Sequence, residues 1–194
     1  MGMPTSVPQQ RWTAQMVRDL TPDDYSAWPK YECVEGELLV TPAPRLTHEE
    51  AIKQLLFRLD PYVIANRLGW LIAGRADIEL DPLTLVQPDL LVAPLVGGRR
   101  PRSWSEITTL LLAVEVLSPS TARYDRVTKR RYYQRFGVPE YWVVDLDARA
   151  VERWRPGEER GELLDGELVW QPEASVAPLV IELPAYFAEV HEEG

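Results

Sequence analysis

Long apolar runs are missing from this 194-residue sequence, and so is any pair of cysteines. No stretch approaches the roughly 18 apolar residues that a bilayer span requires, so no membrane association is expected. Cys33 stands alone, which excludes a disulfide framework and a cysteine metal cluster. With no His or Asp near it in sequence, it reads as a small apolar residue. The segment from Met1 to Trp12 is polar and proline-containing and lacks the apolar core of a secretory signal, so the expected compartment is a reducing cytoplasm. Internal repeats and low-complexity blocks are absent too, and the prolines punctuate short apolar runs instead of gathering into a linker. A basic excess is also lacking: 21 Lys and Arg against 30 Asp and Glu leave a formal net charge of −9. A field of that sign repels phosphates at long range, so any nucleic-acid binding must rest on a local basic patch or on bridging metal ions.

What is present fits one globular domain with a sizeable core, with 45% hydrophobic and 26% charged residues. Residues 1–18 read as a loose arm and residues 19–194 as a single α/β domain, with order starting at a helix signal in Thr21-Pro22-Asp23-Asp24. Tyr31 to Thr41 reads as a hairpin or a bent strand about Glu35-Gly36-Glu37. Thr47 and Glu50 form a capping-box pattern before an amphipathic helix over 48–59, and Asp60-Pro61 suggests a second short helix toward Leu68. Leu71 to Ala73, Ala76 to Leu80 and Leu85 to Ala93 read as strands, the last with Pro88 at a bulge or an edge. Leu110 to Leu117 is the most apolar run and reads as a central strand buried on both faces. Tyr124 to Phe136 is a helix stopped by Gly137, and Glu140 to Leu146 is another strand. Three short segments, at 151–154, 167–170 and 179–181, suggest a peripheral antiparallel C-terminal hairpin set, closed by a helix from Pro184 to Val190.

Glu115 interrupts the apolar run Leu110 to Leu117, and an unpaired buried carboxylate costs several kcal/mol, so it needs a partner. By the strand's period of two, Leu111, Ala113, Glu115 and Leu117 share one face, and Leu112, Val114 and Val116 the other. Asp89 follows Pro88 at a similar interruption, where a bulge could aim its carboxylate at a neighbouring strand. Two hard oxygen ligands of this kind suit magnesium, which keeps the rest of its octahedral shell for water or phosphate. Beyond Glu115 a polar loop leads into a helix on which Asp125, Lys129, Tyr133 and Phe136 lie three and four apart, so Lys129 points inward. A lysine there can orient water and offset charge developing on phosphorus. Arg123, Arg126 and Arg130 face the other way and form a candidate nucleic-acid-binding surface, which could equally be solvated or pair with the acidic end of the chain. His48, near a helix start, reads as a capping-region side chain or as a phosphate or metal binder.

Taken together, Pro88-Asp89, the stretch Val114 to Thr121, Tyr124-Asp125, Lys129 with Tyr133, and Gly137-Val138-Pro139-Glu140-Tyr141-Trp142-Val143-Val144-Asp145 resemble the Uma-two family of restriction-endonuclease-like proteins. Tyr31-Glu32, Glu35-Gly36-Glu37-Leu38 and His48 share the likeness, which spans roughly residues 20 to 190. That family belongs to the PD-(D/E)XK nuclease superfamily. The resemblance therefore implies a mixed central β-sheet flanked by helices, DNA phosphodiester hydrolysis dependent on Mg2+ or Mn2+, and a homodimer. Position by position, it makes Asp89 the aspartate of the PD element and Glu115 the acidic residue of the second element. The superfamily's lysine falls at Leu117, which cannot serve, and Lys129 is the migrated replacement. Glu35 is an additional metal or water ligand in this scheme, and the main-chain oxygen of Val116 completes the coordination sphere. The competing expectation, favoured by Leu117 and by the net charge, is a non-catalytic dimeric scaffold that keeps the nuclease fold. A hydrolase of small phosphorylated molecules is a third, although no Gly-rich phosphate cradle is visible.

Overall fold

A computed structural model describes residues 10–21 and 28–192 of the chain. The first element is α1 (Ala14–Leu20), whose Thr13 hydroxyl accepts from the Met16 N–H at 3.2 Å. Part of the expected loose arm is thus a capped helix that buries Val17 completely. Thr21 ends this helix, its N–H bonding back to Val17 and Arg18, and does not start another. Pro22-Asp23-Asp24 lie outside the described residues.

The hairpin forms as expected, from β1 (Lys30–Val34) and β2 (Glu37–Thr41). Glu35 and Gly36 both have positive φ, 55° and 86°, as a tight two-residue turn between twisted strands demands. α2 (Leu46–Ala65) is one helix of 20 residues, so the break expected at Pro61 does not occur. Ala51, Leu55, Leu59 and Val63 form one buried row that continues across the proline, and its packing outweighs the hydrogen bond the ring removes. The capping box is also unmade, since Arg45 is the N-cap and Glu50 binds Lys53 and Gln54 instead.

Four strands follow: β3 (Gly69–Ala73), β4 (Ile78–Asp81), β5 (Thr84–Val86) and β6 (Leu90–Pro94). The single strand expected over 85–93 is therefore two, in different sheets, because the chain crosses from one to the other at Gln87-Pro88-Asp89. β7 (Leu112–Val116) is the expected buried strand. The next helix is composite. A turn, α3 (Ala122–Tyr124), enters a π-helical turn over Asp125–Lys129 and leaves as α4 (Arg130–Arg135), before Gly137 at φ 69°. The chain closes with β8 (Glu140–Asp145), β9 (Ala150–Trp154), β10 (Glu162–Leu164), β11 (Glu167–Trp170), β12 (Leu179–Glu182) and α5 (Leu183–Val190).

The central sheet has the order β10-β9-β8-β7-β6-β3 and is mixed, since β7 and β8 run parallel while the other neighbours are antiparallel. β9 extends this sheet, which corrects its expected place in a separate hairpin set, and β10, a strand not expected from sequence, pairs beside it; of that set β11 and β12 pair apart. A second sheet, β2-β1-β5-β4, lies beside it. Leu112, Val114, Val116 and Trp142 pack on one side of the central sheet with the buried row of α2, with Trp170 and with Tyr186. Ala113, Tyr141 and Val143 pack on the other with Tyr132, Tyr133 and the Val34–Val86 region of the second sheet. The charged residues of β1, β7 and the π turn meet within this second layer.

Candidate metal centre

On β1 the period of two puts Lys30 and Glu32 on one face, and that face turns toward β7 and the π turn. Lys129 Nζ reaches Glu115 Oε1 at 2.8 Å, Glu32 Oε1 at 2.9 Å and Asp125 Oδ1 at 3.5 Å. Lys30 Nζ donates to the Gln87 carbonyl oxygen at 2.8 Å and lies 3.5 Å from Glu32 Oε2 and 3.8 Å from Asp89 Oδ1. Glu32, Glu115, Asp125 and Lys129 are each no more than 2% exposed.

The sheet crossing is what delivers Asp89. Gln87 is held at three points: its N–H donates to Glu32 Oε1 at 2.7 Å, its carbonyl accepts from Lys30, and its side-chain amide donates to Asp77 at 2.6 Å. Two residues later Asp89 Oδ2 accepts the main-chain N–H of Val116 at 2.9 Å and stands 3.2 Å from His48 Nε2. The carboxylate is thereby fixed beside the Glu115–Val116 peptide. In the π turn, the Arg130 N–H bonds to the Asp125 carbonyl five residues back, and the Tyr141 hydroxyl donates to the same oxygen at 3.1 Å. Such turns recur at functional sites because they re-aim side chains within a helix. Here both side chains at its ends, Asp125 and Lys129, are buried.

Four carboxylates face two ammonium groups and one imidazole in this cluster, so negative charge is in surplus. Burial pushes the Glu115 carboxyl well above the usual range, against the pull of Lys129 and with the help of Asp89. Burial raises Asp125 as well. Asp89 goes the other way: burial opposes its charge, but Lys30, His48 and the Val116 N–H together hold it well below the ordinary value. Burial also opposes the charge on Lys129, yet Glu115, Glu32 and Asp125 outweigh it and raise its pKa. His48 is raised by Asp89 despite its own burial.

Among the described residues no three His, Cys, Asp or Glu side chains converge into a ready metal cage. The donor set nevertheless fits a hard divalent cation. Magnesium takes one or two carboxylates and leaves most of its shell to water and phosphate, and a surplus of buried negative charge is what such an ion would neutralise. These groups open on a cleft of about 470 Å³ whose walls include Trp28, Pro44, Ser118, Arg126 and Asp145. A smaller cavity of about 220 Å³ adjoins it and shares Lys30, His48 and Asp89.

Of the residues expected from sequence, Asp89, Glu115 and Lys129 come together. Val116 contributes its backbone here while its side chain packs in the opposite layer. Leu117 follows the end of β7 and packs on the Tyr132–Tyr133 layer. Glu35 is not brought in. It sits at the tip of the β1–β2 turn, more than half exposed, and binds Arg135. The three arginines do not act as one surface either. Arg126 borders the cleft but is held by Asp145 and Glu152, Arg130 stacks over Trp154, and Arg123 is exposed. Lys30 and Glu32 went unread as site residues, although two charged residues at alternate positions of a strand that is otherwise apolar on that face were the available signal.

Comparison with known proteins agrees with this architecture. The model of the Uma2 family, described as "Putative restriction endonuclease", matches residues 22–184. A crystal structure described as a putative nuclease belonging to DUF820, from Anabaena variabilis ATCC 29413, superposes with a TM-score of 0.71. The match covers 92% of this chain and 99% of that one at 17% identity, which is a likeness of fold. No curated protein sequence matches the chain.

Proposed function

Since this chain belongs to the Uma2 family of putative restriction endonucleases, we propose that it is a divalent-metal-dependent endonuclease that hydrolyses phosphodiester bonds of DNA, and that it works as a homodimer. The observation that carries the proposal is the convergence of buried Glu32 and Glu115 and of partly buried Asp89 with two lysines at the floor of one cleft. Asp89, Glu115 and the main-chain oxygen of Val116 would hold Mg2+ or Mn2+. A bound ion of this class lowers the pKa of water and offsets charge on phosphoryl oxygens.

The chain's own residues account for the rest. Lys129 locks Glu115 and Glu32, and the Val116 N–H with His48 fixes one oxygen of Asp89, so the ligand carboxylates are oriented before substrate arrives. In the reaction a water oxygen bonds to phosphorus as the bond to the leaving oxygen breaks; the water's proton passes to solvent and the leaving oxygen takes one up. A buried ammonium group answers the negative charge that accumulates on the non-bridging oxygens. The lysine that Leu117 cannot supply thus comes from other elements of the fold.

Plasmid nicking with Mg2+ or Mn2+ tests this, together with calorimetric metal titration. Wild type should take up metal and nick, and Asp89→Ala and Glu115→Ala should lose both. A non-catalytic dimeric scaffold is the second reading, favoured by the net charge of −9 and by the neutralisation of Arg126 by two carboxylates. Folded wild-type protein that takes up no metal would establish it.

A further inference from the structure

Lysine is scarce in this chain. Lys30, Lys53 and Lys129 are the only three, against 18 arginines. Two of the three are buried within the one carboxylate cluster. Elsewhere the sequence supplies positive charge with guanidinium, so what is retained here is the ammonium, a compact charge with three rotatable donors and no acceptor.

The two buried ammonium groups are not equivalent. Lys129 has three carboxylates within 3.5 Å and hydrogen-bonds two of them, so its charge is committed to protein oxygens. Among the described residues the Lys30 ammonium makes one hydrogen bond, to a neutral main-chain carbonyl. Its carboxylate neighbours lie at 3.5 and 3.8 Å, beyond good hydrogen-bond range. The closer oxygen of Asp89 is Oδ1, the one not held by Val116. Lys30 also borders both the main cleft and the smaller cavity, so its uncommitted N–H groups have space to meet a ligand.

We propose that Lys30 is the catalytic cation that contacts a non-bridging oxygen of the scissile phosphodiester, and that Lys129 is a positioning residue that holds Glu115 and Glu32. This assignment rests on the nuclease reading given above. It moves the superfamily's lysine function onto β1, and it involves no proton transfer from Lys30, only a charged hydrogen bond that strengthens as charge builds on the phosphoryl oxygen.

With three lysines in the chain, the ammonium resonances of 15N-lysine-labelled protein are few enough to assign. A phosphorothioate-linked tetrathymidylate, slow to hydrolyse, is titrated in with Mg2+. The Lys30 signal should move saturably while those of Lys53 and Lys129 stay. In parallel, Lys30→Met should keep its fold and its metal uptake and lose about 100-fold or more in single-turnover nicking. Ethylammonium added to Lys30→Ala should restore part of the rate, and it should restore none to Lys129→Ala. A Lys129 signal that moves while that of Lys30 stays, or Lys30→Met nicking within about threefold of wild type, would overturn the assignment. The outcomes separate it from the nuclease reading. Wild type that nicks with an unmoved Lys30 signal defeats only this assignment, whereas a moving Lys30 signal in protein that never nicks keeps the phosphodiester contact and defeats hydrolysis.

Discussion

Two faces of one strand, β7, are stabilised by different physics. Leu112, Val114 and Val116 face a layer that includes Trp142, Trp170 and Tyr186, where stability comes from area removed from water and from close packing. Glu115 faces the other way, into Lys129, Glu32 and Asp125, where each charge is tolerable only because of its neighbours. Packing of the first kind is shared among many side chains, so one imperfect member is absorbed. The charged cluster has few members, and the loss of Lys129, which three carboxylates share, strands the rest. The more fragile face is thus the one that carries the candidate chemistry, as expected where a site trades stability for poised charge.

The same replacement on each face sharpens the contrast. Lys129→Met keeps the bulk and removes the ammonium, leaving three buried carboxylates short of a partner, and should cost about 3–5 kcal/mol in denaturant unfolding. Leu112→Met, on a fully buried residue of the apolar layer, should cost under about 1.5 kcal/mol because volume is conserved. The deficit of the first should also depend on pH. Carboxylates with raised folded-state pKa values lose stability as pH rises above their unfolded value, so the Lys129→Met deficit should grow from pH 5 to pH 8 while that of Leu112→Met stays level. Equal, pH-independent costs would dissolve the distinction.

That asymmetry also explains what could be read from the sequence. The apolar layer and the inward turn of Glu115 and Lys129 follow from local periodicity, two residues per strand repeat and 3.6 per helical turn. Lys30 and Glu32 do not, because their roles depend on residues 57 and 97 positions away, brought close by the meeting of two sheets. The interruption at Gln87-Pro88-Asp89 was legible as a break in a strand, but its result, a change of sheet, depends on which partner strands wait on either side. The π turn leaves no local trace either: Asp125 and Lys129 share a face at ordinary helical spacing. Helix α1 has no clear signature in the sequence, because its short run AQMVRDL has only Ala14 and Val17 to bury and gains its place from packing on β1 and β5.

A milder test of the charged side lies at the far edge of the cleft, where Asp145 accepts from Ala148, Asp147 and Arg126. Partial burial opposes its charge, but the Ala148 N–H and Arg126 outweigh it and hold the carboxyl below its ordinary range. A depressed folded-state pKa contributes stability above the unfolded value of 3.8, and that contribution is lost as pH falls toward the folded value. Asp145→Asn should therefore lower Tm at pH 6, and its gap to wild type should narrow steadily below about pH 4. A gap unchanged down to pH 2.5 would mean that Asp145 acts through its geometry alone.

The smallest effect is expected at Glu35, and there the sequence and the structure part most clearly. A metal or water ligand at this position would make Glu35→Ala as damaging as Glu115→Ala. The residue instead stands at the turn between β1 and β2 and shares an ion pair with Arg135 in which both side chains are more than half exposed. Exposed pairs of this kind contribute about 0–1 kcal/mol, less at high salt. Its positive φ matters more to the turn than its charge does, so Glu35→Asn, which tolerates that conformation, should be closer to neutral than Glu35→Ala. Metal affinity and nicking should be unchanged in both variants. Loss of metal uptake in Glu35→Asn, with Tm preserved, would instead require this turn to fold over the cleft when metal binds.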